Sequence, residues 1–150
     1  MCMMLYISSN KELPVIPWCH EEDYFNLKNL EVPDNSFWER AKLAIQLKTT
    51  GSYLYSAMAH TGCGCGFAYG VNPIYDEEDQ KEEEKNKRSV KLLFSFLKEH
   101  FKTGEVVELY SCVAGREGNV DYKRTSISLS DFKLGDSFEL YNGELISVYL

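Results

Sequence analysis

The sequence predicts an α/β or α+β fold: a single mixed sheet, one or two helices packed on it, and a C-terminal β-hairpin. Three observations carry this. Met3 to Ser8 is a nearly continuous apolar run of strand length, the pattern of a strand buried on both faces and central in a sheet. Ser89 to Lys102 sets Val90, Leu93, Phe94, Leu97 and Phe101 on one helical stripe, broadened by Leu92 and Phe96. Asn142-Gly143 separates two alternating runs, 137–141 and 144–149, as in a two-residue hairpin whose register pairs Leu140 with Leu145.

The remaining elements follow in order. Ser8-Ser9-Asn10-Lys11 breaks the first strand, and Pro14 and Pro17 keep the next segment extended up to Trp18. Tyr24 to Leu30 reads as a short edge strand. A helix is expected after Pro33-Asp34-Asn35, opened by the Ser36/Glu39 capping pair. Trp38, Ala41 and Ile45 lie on its stripe, which Phe37, Ala44 and Leu47 widen, and Thr49-Thr50-Gly51 closes it. Trp38 reads as core. Tyr53 to Ala59 is a second strand. Asp76 to Arg88 carries seven acidic and four basic residues. Glu83 with Lys87 and Glu84 with Arg88 are favourable pairs four apart, so this run reads as the solvated start of the helix that follows. Gly104 is the expected helix stop. Glu105 to Val113 is a third strand, Tyr122 to Leu129 an edge strand, and Ser130-Asp131-Phe132 a single helical turn.

Composition bounds the function. A chain of 150 residues, 44% hydrophobic and 13% aromatic, fits one globular domain over residues 1–150. The formal net charge of −7 excludes general nucleic-acid binding, which needs a basic surface. No apolar run approaches the roughly 20 residues of a membrane span. The N-terminal stretch has neither a basic leader nor a long apolar segment, so the expected address is the cytoplasm. Five cysteines are there expected to be reduced, and their odd number argues against a complete disulfide framework.

The chemistry-bearing stretch is His60-Thr61-Gly62-Cys63-Gly64-Cys65-Gly66-Phe67, in the loop leaving the second strand. That strand, the Ser89–Lys102 helix and the third strand make a β-α-β unit. Parallel strands joined in this way end on one edge of a sheet. Cys63 and Cys65 are therefore expected near Cys112, with His60 and the Gly115-Arg116 loop at the same edge, where open α/β sheets bind ligands.

Met1-Cys2, Leu5-Tyr6-Ile7-Ser8, Pro17-Trp18, the His60-to-Phe67 loop and Tyr110-Ser111-Cys112 with Gly115 resemble a family of small uncharacterised bacterial proteins with a Gly-Cys-Gly-Cys-Gly-Phe loop. The resemblance spans most of the chain and departs most between Asn26 and Thr50. It implies a bacterial, single-domain, cytoplasmic protein and carries over no functional residues.

Three functional readings stand. In the first, the protein is a non-enzymatic binding or interaction module, with a protein partner or self-association, and its cysteines and glycines only shape a core and a turn. In the second, His60, Cys63, Cys65 and Cys112 hold zinc as one nitrogen and three sulfurs, with Cys2, Cys19 and His20 in reserve. In the third, Cys63 and Cys65 cycle between dithiol and disulfide, activated by His60 or Arg116. No phosphate loop, Gly-x-Ser-x-Gly elbow or His-Glu-x-x-His helix is present, so the sequence leans away from an enzyme.

Overall fold

The structure is a computed structural model that describes residues 1–18, 24–30, 36–130 and 133–150, with backbone alone for residues 36–38. The expectations for Cys19-His20, the Pro33-Asp34-Asn35 lead, the Ser36 cap, the burial of Phe37 and Trp38, and the Ser130-Asp131-Phe132 turn lie outside what is described. The strands are β1 (Met3–Ser9), β2 (Phe25–Asn29), β3 (Tyr53–Ala59), β4 (Val106–Val113), β5 (Lys123–Ser128) and β6 (Glu144–Tyr149). The helices are α1 (Ser36–Gln46) and α2 (Glu77–His100), with a short 3-10 turn at Gly64–Gly66. The fold is α+β: a single mixed six-stranded sheet in the order β2-β3-β1-β4-β6-β5.

The apolar run of β1 earns its central place because both of its faces are covered. Leu5 and Ile7 join Val90, Leu93, Phe94, Phe96 and Leu97 of α2 in one cluster, while Tyr6 joins Ile45 of α1, Leu54, Tyr110 and Cys112 in a second. Alternation along the strand sends successive side chains to opposite faces, so the sheet is the middle of three layers.

α2 takes in the charged run as its solvated start, as its spacing suggests, and carries it into the apolar stripe from Ser89 onward. Asp76 caps it, its carboxylate accepting from the N–H groups of Glu78 and Asp79 at 2.9 Å each. Glu77, Glu78 and Asp79 complement the positive helix end. The helix ends at Phe101, which turns extended while its N–H reaches Leu97 O. Gly104 is not the stop; it lies in the following turn and donates to Leu150 O at 2.6 Å. The stripe of α1 is narrower than its sequence suggests. Ala41 and Ile45 are buried, whereas Leu47 is 88% exposed. Leu92 is likewise exposed on α2.

The C-terminal strand does not form the expected hairpin. Leu145 pairs with Tyr110 of β4 and with Arg124 of β5, and not with Leu140. The segment before it makes only a bridge, Phe138 with Tyr69. Gly143 does adopt the positive φ of 74° that its turn demands, but its N–H and C=O go to Ser111 and Lys123. The turn feeds β6 into the gap between β4 and β5, parallel to β5. Both edge expectations hold, since β2 and β5 are the outermost strands.

One topological fact positions the site. β3 and β4 are not neighbours: β1 lies between them, antiparallel to each. They therefore run parallel to one another, and both carboxyl ends lie at the same edge as the amino end of β1. Among the described residues no helix is long and apolar enough to cross a membrane.

Candidate functional site

That edge brings together Cys2, just before β1, and Cys63 and Cys65, just after β3. The three sulfurs all lie within 4.8 Å of one another. Each segment is anchored by its backbone. The C=O of Cys2 accepts from the Ala114 N–H at 2.9 Å, and the C=O of Cys63 accepts from the Ala59 N–H at 2.9 Å. The 3-10 turn at Gly64–Gly66 presses directly on β1. A Cβ on Gly64 would sit 3.0 Å from Met3 O and 3.1 Å from Leu5 N, so any side chain here would have to push the β1 backbone back by a few tenths of an ångström.

Hydrogen bonds converge on the sulfurs. Met3 N–H donates to Cys65 Sγ at 3.1 Å, Cys65 N–H donates to Cys63 Sγ at 3.4 Å, and Thr61 Oγ1 lies 3.4 Å from Cys63 Sγ. Burial pushes the Cys63 thiol up, but hydrogen bonds from Thr61, Cys65 and Cys2 outweigh it and hold the thiol below its ordinary value. Burial, joined by the Cys63 hydrogen bond, pushes Cys65 up to about 11. The two loop thiols are thus unequal: Cys63 is the readier thiolate.

Cys112 belongs elsewhere, and the expected four-ligand set is corrected. It reaches the same edge, but its register against Met4 turns it to the α1 face, where it is 1% exposed beside Tyr6 and Tyr110. Met3, one residue earlier, packs on the α2 face and touches Cys65 through its backbone. The sheet itself separates the two sets of thiols. Burial, then the charge of Glu117, pushes Cys112 up to about 12, the behaviour of an inert core thiol.

His60 is also drawn away. Its Nε2 lies 2.8 Å from Glu82 Oε1 and its Nδ1 3.2 Å from Ser89 Oγ. A carboxylate only accepts, so Nε2 carries the proton and donates to Glu82. The ring ties the end of β3 to α2. This Glu-His-Ser alignment does not make a nucleophile, because Ser89 is fully buried at 0% exposure. Arg116 is exposed, its N–H bonded to Val113 O.

Sequence reasoning missed a second polar constellation on the α1 face. Tyr6 OH donates to Glu117 Oε1 at 2.8 Å, with the carboxylate side chain 4% exposed. Lys48 Nζ donates to Glu117 O at 2.5 Å and to Ala44 O at 3.3 Å. It also lies over the rings of Tyr110 and Tyr122. Burial lowers the Lys48 ammonium from its ordinary value. Nothing in the order of residues marks these partners; only the alternation of β1, which puts Tyr6 opposite Leu5 and Ile7, hints at them.

Known protein families, curated proteins and solved structures give no match to this chain.

Proposed function

We propose that the protein is a metal-binding protein whose site is Cys2, Cys63 and Cys65 and whose ion is zinc. The observation that supports this is the convergence of three sulfurs within 4.8 Å from two segments some sixty residues apart. Zinc–thiolate bonds are about 2.3 Å, so tetrahedral ligands stand about 3.8 Å apart. Closing the cluster onto an ion needs shifts of about 1 Å or less. Thiolates are soft donors that favour zinc or Cu(I) over magnesium or calcium. The N–H groups donated to Cys63 and Cys65 stabilise the ionised sulfurs that a metal requires.

An interaction module without a metal gives no reason for these thiols to meet. A dithiol–disulfide role for Cys63 and Cys65 is the second reading, favoured by the inequality of the two thiols. One experiment separates them. Reduced, metal-free protein is titrated anaerobically with Zn²⁺ against a chromophoric chelator. One ion per chain is expected, with uptake lost in Cys63→Ser and Cys65→Ser. No uptake at micromolar zinc, together with loss of two titratable thiols on mild oxidation, would replace the metal reading with the redox one.

A further inference from the structure

We infer that the zinc ion keeps its fourth coordination position open for a low-molecular-weight thiol from solution, so that the site exchanges its ion instead of using it to hold the fold. This rests on the metal reading above and concerns what the site does with its ion.

Three observations carry it. Among the described residues the cluster supplies three ligand atoms and no fourth. Structural zinc sites are closed by four protein ligands, whereas three leave a position for an external donor.

The sulfurs also stand where a small molecule can reach them. Cys2 is exposed and Cys63 and Cys65 are half-buried, and none of the three belongs to either hydrophobic cluster.

Lastly, the loop owes its shape to other contacts. Phe67 is fully buried, Gly64 and Gly66 pack against β1, Ala59 and His60, and backbone bonds pin Cys2 and Cys63 from outside the cluster. A small zinc domain folds because the metal supplies the energy its core lacks. Here two clusters over both sheet faces supply that core.

The chemistry of exchange follows. The incoming thiol gives up its proton to solvent and its sulfur forms a Zn–S bond as the ion's water leaves. To release the ion, the three protein sulfurs break their Zn–S bonds one after another, each taking up a proton as a further thiol or water takes its place on zinc. Each exchange forms one bond and breaks one, with no change of oxidation state.

Zinc-edge X-ray absorption on the zinc-loaded full chain, with and without millimolar glutathione, tests this. The expected change is from three sulfurs and one oxygen to four sulfurs, with faster zinc transfer to a chelator. Circular dichroism of the metal-free protein is expected to keep its strand and helix signal. Four sulfurs or an imidazole nitrogen in the protein alone, unmoved by glutathione and removed by Cys19→Ser or His20→Ala, would overturn the inference while zinc uptake stands. Unfolding on chelation would overturn it too. Failure to take up zinc at all would instead remove the reading beneath it.

Discussion

The main-chain N–H of Met3 donates to Cys65 Sγ across 3.1 Å, joining residues 62 positions apart in the chain. β1 and the thiol loop are therefore one construction, since the strand that organises the sheet also furnishes a hydrogen bond to a sulfur and, one residue earlier, a sulfur of its own.

Cys112→Ala tests which thiols matter to the metal. Zinc stoichiometry and affinity are expected to match those of the parent protein, because Cys112 faces the other side of the sheet. A loss comparable to that of Cys65→Ser, measured by the same chelator competition, would return Cys112 to the site.

The glycine after Cys65 is a packing constraint. An alanine Cβ at Gly66 would meet Ala59 Cβ at 2.7 Å and His60 Cε1 at 3.1 Å. Gly66→Ala is expected to destabilise by about 1–3 kcal/mol through overpacking, and to weaken zinc binding by displacing the loop. Urea unfolding read alongside the zinc titration checks both effects.

Phe94 is 3% exposed and meets Phe138 edge-on at a centroid distance of 5.5 Å. Phe94→Ala is expected to cost about 3–5 kcal/mol in chemical denaturation. A cost below about 1 kcal/mol, in the range of surface substitutions, would contradict its place under α2.

The α1 face predicts an alkaline weakness. Burial, the charge of Glu117 and its hydrogen bond raise Tyr6 above its ordinary value, and burial raises Cys112 from 9.0 to about 12. Raised groups hold their protons in the folded state and release them on unfolding. Their stabilisation is complete below pH 9, falls as pH climbs from about 9 towards 12, and changes by about 1.4 kcal/mol per pH unit for each proton released. Tyr6→Phe removes one such proton and leaves the Glu117 carboxylate without its donor, at a cost of about 1–3 kcal/mol at neutral pH. Denaturation midpoints of parent and variant from pH 7 to 11 are expected to converge as pH rises.

Much of the fold is legible in the sequence. The ends of β3 are as expected, and the apolar run of Met3–Ser8 announced the central strand, because a strand covered on both faces has no polar alternation to hide it. The same property concealed Cys112. β4 is buried on both faces, so nothing in its sequence says which face receives the thiol. Cys2 stood only in reserve because its place depends on β1 running antiparallel between two strands, a fact of topology and not of spacing. The hairpin failed for a related reason. Asn142-Gly143 specifies a turn, which formed, but the strand after it found six paired positions along Val106–Ser111, and the long-range partner prevailed over the local one.

The position of β1 has a consequence for the order in which the molecule is completed. The first strand made is held on both sides, by β3 about fifty positions later and by the eight-residue β4 about a hundred positions later, and closing such long loops is slow beside local contacts. Cys2 reaches Cys63 and Cys65 through the pairing of β1 with β3, and the Ala114 N–H beyond β4 then holds its C=O. An assembled thiol cluster thus reports that β1 has paired with β3, and an intermediate lacking β1 presents only two of the three sulfurs.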